Sequence, residues 1–528
     1  MNTKIKNETF SPHQNIIDGI INRVILKSWN PNCFHSINYF DEIKCFYNNG
    51  YKNFEEILKE QLNKYHPASW ILEAYIQLQL WSVLFFEGSN DNFITGNEKL
   101  APIGRYGWRY IIDISVQNLS KTSMKNGARP TQKEKDIVFT ALAGMCNSSE
   151  ISNFFHFIGD RLNLNTLIFS PELFRGFPPL SKEDTLFLER IKQTLDIAPN
   201  WENYEQFSPL NYVLSQKVDD FLLNHFSITL VEIESIMYWI EQISIKEAML
   251  ILVQPREDFI CQIGLYSGLS RSKIESFLNL TCFSTNVLRE TGERDFLRKS
   301  QRHRMYYYLG IIISLDSNFE SIYDEETLNR SLIHNSKAHI IISPMSFDEW
   351  LKVFQTSLVL GQREDLKQSS EMKNEIASIE SYYRIKVFEV EVLKLLEDKK
   401  FVGLNLDKLN GKKIECGEID ILAYSEERKE LFVIECKALT NVVDYRGLGQ
   451  LINDHYEQKK YHKKFLRKIK WVNEEIESIK LLFKSRFNVD IPCSIRIVPY
   501  FVTSFNSTIG LIEDKYQILT FEEFDKLL

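Results

Sequence analysis

Two short stretches of the 528-residue chain hold acidic and basic side chains that could act together. One is Gly417-Glu418-Ile419-Asp420, and the other is Phe432-Val433-Ile434-Glu435-Cys436-Lys437. Each lies in a run rich in Ile, Val and Phe, the composition of a strand: Lys413–Tyr424 and Leu431–Lys437. The polar segment Ser-Glu-Glu-Arg-Lys-Glu between them reads as a hairpin loop. With that loop centred between Glu427 and Arg428, Asp420 lies opposite Glu435, and Glu418 opposite Lys437. The period of two keeps both pairs on one face. Opposed residues have Cβ atoms about 5 Å apart, so Asp420 and Glu435 repel one another. A divalent cation removes the conflict. Mg²⁺ takes a few hard oxygen ligands and keeps several waters, which suits two carboxylates and a main-chain carbonyl. Lys437 then places a positive charge beside the ion, where it could hold or help deprotonate a water, or stabilise charge on a pentavalent phosphorus.

This arrangement resembles the PD-(D/E)XK nuclease superfamily, in which an Asp sits on one strand and (D/E)-x-K ends the next. The resemblance covers about residues 381–505. It implies an α/β, restriction-endonuclease-like C-terminal domain, a mixed sheet flanked by helices, fused to a mainly α-helical N-terminal region. It implies hydrolysis of phosphodiester bonds, expected in DNA, with Mg²⁺ as cofactor and Mn²⁺ able to substitute. Asp420 and Glu435 would be metal ligands, the main-chain carbonyl of Cys436 a third, and Lys437 the catalytic lysine. The acidic residue that the family carries on the preceding helix matches Glu389 in Phe388-Glu389-Val390-Glu391-Val392, with Glu391 as the alternative. Gln450 is the candidate for the Gln that several branches carry on the next helix. Branches with Gln-x-x-x-Tyr would want Tyr at 454; Asp454 stands there, and Tyr456 is off that register. Restriction or anti-phage defence in a prokaryote is the setting this build suggests, by analogy alone. Two alternatives remain: a repair or recombination nuclease, and a non-catalytic nucleic-acid-binding regulator on a silent nuclease fold.

The elements that must position these residues can be read from their periodicity. A helix over Tyr382–Glu397 turns Val387, Phe388, Val392, Leu393 and Leu396 to a core. A long helix with breaks follows the second strand, roughly Tyr445 to Arg486, and Ser494–Thr503 is a further apolar strand. In that long helix Tyr461, Phe465, Ile469, Val472, Ile476 and Ile479 repeat every three to four residues and face a core. This leaves Lys459, Lys460, Lys463, Lys464, Arg467, Lys468 and Lys470 outside, as a solvated face or as a track for nucleic-acid phosphates. Lys460, Lys463, Lys464 and Arg467 are the candidate binding residues there.

Upstream, residues 1–250 read as helical. Pro67 opens a helix that runs to Gly88 and is apolar nearly all round. Thr131 with Glu134, and Thr229 with Glu232, make capping-box signatures, the second ahead of the stripe Ile233, Ile236, Ile240 and Ile243. Residues 251–345 contain QIGLYSGLSRSKIESFL, whose spacing resembles a helix-turn-helix: Gly268 for the turn, Ser270 to cap, Ile274 and Leu278 to seat the second helix. Arg271 and Lys273 are then candidates for nucleic-acid contact, and a small helical hairpin is the structural alternative. Arg289, Arg294, Arg298, Lys299, Arg302 and Arg304 form a basic stretch, and Tyr306–Ser314 and Ala338–Ser343 read as short strands. Residues 346–380 read as a linker, helix or loop, with the nuclease-like domain over 381–528.

Bulk properties narrow the classes. Hydrophobic residues make up 44% and charged residues 25%, a globular composition. The length exceeds one ordinary core, so two to four domains are expected. A net charge of −8 means that a nucleic-acid partner must be met by locally concentrated positive charge. Eight cysteines lie far apart, without CxxC pairs or a Cys/His cluster of zinc spacing, as in a reduced cytoplasm. The polar start MNTKIKNETF has no signal-peptide core. The most apolar run, Tyr306–Leu315, is half of the ~20 residues a membrane span needs, so a cytoplasmic protein with no membrane partner is expected. P-loop, HExxH, GxSxG and GxGxxG motifs are missing. Homo-oligomerisation is left open.

Overall fold

A computed structural model describes residues 14–28, 39–87, 101–118, 129–158, 212–246, 251–284, 312–315, 339–361, 363, 366–367, 369–438, 445–504 and 508–528. The basic stretch from Arg289 to Arg304 falls outside them. The chain is mixed α/β, with a mostly helical N-terminal region and a five-stranded mixed sheet near its C-terminus.

The N-terminal helices are α1 (Gln14–Ser28), α2 (Tyr39–Leu62), α3 (Pro67–Glu87), α4 (Ala101–Asn118) and α5 (Gln132–Ile158). Pro67 stands at the first turn of α3, where its missing N–H costs nothing. Over residues 67–82 helix α3 is buried nearly all round, as its composition requires; Trp70, Ile71, Tyr75, Leu78 and Trp81 are all enclosed. One charged residue, Glu73, is buried with them, 2.8 Å from Arg129 Nε and 3.2 Å from Lys135 Nζ. At α5 half of the signature forms: the Thr131 N–H donates to Glu134 over 2.9 Å, while the Thr131 hydroxyl donates to the same carboxylate and does not cap the Glu134 N–H.

A second body joins α6 (Tyr212–Phe226) and α7 (Leu230–Lys246) to a four-stranded sheet of β1 (Leu252–Pro255), β2 (Cys282–Ser284), β3 (Ile312–Leu315) and β4 (His339–Ile342), in the order β1-β4-β3-β2. Helices α8 (Arg256–Ser267), α9 (Arg271–Thr281), α10 (Pro344–Val359) and α11 (Ser370–Tyr382) pack around it. The stripe Ile233, Ile236, Ile240 and Ile243 is buried, and both halves of the Thr229–Glu232 capping box are present. Two expected boundaries move. Helices α6 and α7 precede residue 250 yet share this core, so 250 does not divide two bodies. Residues 346–380 are packed helices instead of a linker. Phe347, Leu351, Phe354 and Leu358 recur every three to four residues and are buried, as are Met372, Ile376 and Ile379 of α11. The polar stretch between the two helices includes Arg363, which is fully buried with its guanidinium over the Phe354 ring.

From α11 the helix continues without interruption through a π-helical turn, Tyr383–Phe388, into α12 (Glu389–Asp398). Buried positions step through Met372, Ile376, Ile379 and Tyr383 by three or four. They then jump five to Phe388 before Val392 and Leu396. A five-residue step is the repeat of a π turn, and it changes which core the helix faces: residues up to Tyr383 belong to the second body, and Phe388 onward to the C-terminal sheet. The expected start at Ser381 therefore falls inside a helix.

The C-terminal sheet contains β5 (Val402–Leu406), β8 (Ile419–Ser425), β9 (Glu430–Lys437), β10 (Arg496–Thr503) and β11 (Gln517–Thr520), in the order β11-β10-β9-β8-β5. Strands β6 (Lys408–Leu409) and β7 (Lys412–Lys413) form a small separate hairpin, so the long strand expected from Lys413 begins only at Ile419. Gly417, at φ 89°, makes the turn into it, a conformation that L side chains resist. Strands β9, β10 and β11 are parallel; β8 is antiparallel to β9 and to β5. Helices α14 (Tyr461–Glu474) and α15 (Ile476–Phe487) cover one face through Phe465, Val472, Ile479 and Phe483. Helices α12 and α16 (Phe521–Leu527) cover the other, with Phe388, Val392, Leu396 and Phe524. Helix α13 (Tyr445–Asn453) follows β9 and lies against α5 of the N-terminal helices.

Candidate functional site

The hairpin adopts the register derived above. Ile421 pairs with Ile434 and Leu422 with Val433 across a turn at 426–429, which sets Asp420 against Glu435 one step further along. Leu422, Tyr424, Leu431 and Val433 share the face covered by α14 and α15, and the alternation of the pleat puts Asp420, Glu435 and Lys437 on that same face. The ladder ends at the Ile421–Ile434 pair. Beyond it, Asp420 Oδ2 accepts the Cys436 N–H over 2.9 Å. On the outer side β5 slips between Leu404 and Leu406, and the Asn405 side-chain amide donates to the Asp420 carbonyl. Asp420 is thus held at its main chain and at its carboxylate.

Two lysines meet the carboxylate pair. Lys437 Nζ lies 2.5 Å from Glu435 Oε1, 3.2 Å from Asp420 Oδ2 and 3.0 Å from the Cys436 carbonyl. Lys468, from α14, reaches the other oxygens: it bonds Glu435 Oε2 and lies 3.4 Å from Asp420 Oδ1. Lys468 is a correction to the sequence reading, which placed it on the outer face of its helix. It is 7% exposed, beside Asp420 at 7% and Glu435 at 5%. The buried line of α14 runs Phe465, Lys468, Val472, so Lys468 occupies a core position of the stripe. Taking an ammonium out of water costs several kcal/mol, a cost that the two carboxylates offset here.

Glu389 comes from the first turn of α12 and is 6% exposed. Burial, and then the charge of Asp420, push its carboxyl up to about 7. Asp420 goes the other way. Burial works against its ionisation, but Lys437, Lys468 and the Cys436 N–H outweigh it and hold the carboxyl below the usual range. Glu435 and Asp420 raise Lys437 above the ordinary lysine value in spite of its burial.

These groups line a cleft of about 440 Å³ with Arg384, Glu415, Cys416, Gly417, Glu418, Lys464 and Arg467. Its five cations face five carboxyl groups, of which the raised Glu389 is only partly ionised at neutral pH, so the cleft as a whole carries little net charge. The positive charge lies on the α14 wall, where Lys464 and Arg467 are exposed, and Arg467 also donates to the Glu415 carbonyl over 3.2 Å. Lys460 and Lys463 are exposed on the same helix start but do not line the cleft. Gln450 does not line it either; its exposed amide donates to Asp454 over 2.8 Å.

The helix-turn-helix-like pair forms, with Gly268 at φ 71° ending α8 and Ile274 and Leu278 buried. Ser270 precedes α9 but bonds the Ser272 hydroxyl in place of capping the helix. Arg271 bonds Glu257 and Glu275 over 2.7 and 2.8 Å, and Lys273 bonds Glu232 over 3.0 Å. Both side chains make ion pairs within the chain, Arg271 at an exposed position and Lys273 at a partly buried one. Comparisons with family models, with curated proteins and with solved structures return no match. No helix among the described residues is long and apolar enough to cross a membrane.

Proposed function

We propose that the C-terminal sheet carries a metal-dependent nuclease site of the PD-(D/E)XK kind, acting on phosphodiester bonds of DNA. One observation carries the reading: Asp420 and Glu435, on adjacent strands and one face, share two lysines at the end of a cleft. The donor set fits Mg²⁺, because Asp420, Glu435, Glu389 and the Cys436 carbonyl offer only hard oxygens. Asp420 and Glu435 would hold the ion, with Glu389 and the Cys436 carbonyl beside them. A bound Mg²⁺ would supply Lewis-acid polarisation of the phosphate. Lys437 and Lys468 place positive charge where a pentavalent phosphorus gathers negative charge. Lys464 and Arg467 would bind flanking backbone phosphates, a contact that weakens with salt.

A second reading, a nuclease fold that binds nucleic acid without cutting it, is favoured by the charge count. Two carboxylates and two ammonium groups already neutralise one another. One experiment separates the two. Linear, circular and single-stranded DNA and RNA are incubated with the full chain, with Mg²⁺ or Mn²⁺ present or chelated. Metal-dependent cleavage that Asp420→Ala abolishes supports the enzyme. Binding without cleavage under every condition supports the silent fold. Restriction or anti-phage defence, and repair, remain settings for the same chemistry that a substrate panel distinguishes.

A further inference from the structure

A second cluster of ligand-type side chains lies outside the carboxylate cleft. His455 sits in the π-helical turn Asp454–Gln458, His462 in the first turn of α14, and Glu513 ahead of β11. His455 Nε2 is 3.5 Å from Glu513 Oε2, and His462 Nδ1 is 2.7 Å from the same oxygen. The Tyr516 hydroxyl stands 2.8 Å from His455 Nε2 and 3.3 Å from His462 Nδ1. The ligand atoms of the two histidines and Glu513 all fall within 4.8 Å of one another. His455 and Glu513 are 1% exposed in their side chains, and Phe501 and Tyr461 pack their rings beside His455. His462 Nδ1 thus faces both the Glu513 carboxylate and the Tyr516 hydroxyl.

We propose that His455, His462 and Glu513 form a binding site for a divalent transition-metal ion, Zn²⁺ in preference to Mg²⁺. Ligands at zinc bond lengths of about 2.0–2.1 Å sit about 3.4 Å apart at the corners of a tetrahedron. Four of the six separations among these atoms run from 2.7 to 3.5 Å, and the His455 and His462 ligand atoms lie within 4.8 Å of each other, a set that small side-chain shifts bring to that spacing. Two imidazoles and one carboxylate suit Zn²⁺, whereas Mg²⁺ favours sites built of oxygen alone. The Tyr516 hydroxyl stands at the fourth corner, to coordinate or to give way to water. Such an ion would tie the start of α14 to the segment before β11. It would thereby fix the helix that carries Lys464, Arg467 and Lys468. The inference holds whether or not the carboxylate cleft cuts nucleic acid.

The test uses the full chain with Asp420→Ala, so that the oxygen-donor pair is broken and does not compete. The chelator-stripped protein is titrated with Zn²⁺ against a chromophoric chelator, and with Mg²⁺ by calorimetry. One equivalent of Zn²⁺ per chain is expected, with a rise in Tm that Mg²⁺ does not reproduce. His462→Gln and Glu513→Gln keep hydrogen-bonding groups in place, and circular dichroism checks that each folds. Each should weaken Zn²⁺ by more than the roughly 10–100-fold that loss of a supporting contact costs. Co²⁺ should give the intense visible absorption of a tetrahedral site in the parent and not in these variants. No stoichiometric Zn²⁺ in the parent, or equal Zn²⁺ affinity in both folded variants, overturns the proposal.

Discussion

Lys468→Met would remove one cation from the carboxylate cluster and keep an unbranched stem in the α14 core stripe. Asp420 and Glu435 carry two negative charges, and Lys437 and Lys468 two positive ones. The substitution leaves a net charge of one negative. Unit charges about 4 Å apart interact by about 4 kcal/mol at an effective dielectric of about 20, and a third of that is about tenfold in an equilibrium constant. Removing a cation that a divalent ion must approach should therefore tighten Mn²⁺ by about tenfold or more. Stability should fall by less than the 3–5 kcal/mol of a bare buried charge. Glu435 keeps Lys437 at 2.5 Å, and Asp420 keeps Lys437 and the Cys436 N–H. A loss of about 1.5–3 kcal/mol, the worth of one hydrogen bond to a charged group, is expected. Cleavage should drop about 10²–10³-fold, as for loss of one electrostatic partner of a transition state. Calorimetric Mn²⁺ titration beside a plasmid-nicking assay reads both quantities. Unchanged or weaker Mn²⁺ binding together with wild-type nicking would refute the charge argument and leave Lys468 a structural cation.

Asp420→Ala should lower both metal affinity and cleavage, whereas Lys437→Ala should keep the metal and lose about 10²–10⁴ in rate; Mn²⁺ calorimetry and nicking rates distinguish them, and wild-type cleavage by the lysine variant would make the E-x-K match coincidental. Neutralising Lys460, Lys463, Lys464 and Arg467 together should weaken DNA binding and flatten its dependence on salt, read by fluorescence anisotropy across a salt series. Arg271→Ala with Lys273→Ala should leave DNA affinity unchanged in the same assay, because both cations are bound to Glu257, Glu275 and Glu232. At Glu73, burial opposes ionisation and Lys135 and Arg129 outweigh it, so the carboxyl titrates below its ordinary range. Its contribution is present above that range and is lost as pH falls through the depressed value. Glu73→Gln should cost about 3–5 kcal/mol at neutral pH and less on acidification, measured by denaturant unfolding at several pH values.

The carboxylate pair was legible because a hairpin obeys arithmetic. Once its turn is centred, the period of two fixes which residues face one another, and the observed pairing of Ile421 with Ile434 is the one that counting gives. Lys468 was not legible for the opposite reason. A lysine at a core position of an amphipathic helix looks like one more member of a basic run until its partners on another element are known. The one signal available was its place three residues after Phe465 and four before Val472, on the buried line of the helix. The His455–His462–Glu513 group escaped in the same way, since Glu513 lies 51 residues from His462 in the chain and no local spacing announces it. The supposed linker failed because charge density was read in place of period. Phe347, Leu351, Phe354 and Leu358 carried the helical repeat throughout.

The helix that passes from α11 through the π turn into α12 has a practical bearing on how the molecule can be taken apart. Its first half seals the second body with Met372, Ile376, Ile379 and Tyr383, and its second half seals the C-terminal sheet with Phe388, Val392 and Leu396. A recombinant fragment starting at Ser381 would begin midway along this rod and strip the upstream body of its lid. One starting at Ser369, whose hydroxyl accepts the Met372 N–H over 3.1 Å, would keep a natural cap but carry Met372, Ile376 and Ile379 bare into solvent. No scissor point between 370 and 398 gives each body its whole share, so the two are best expressed and assayed as one piece.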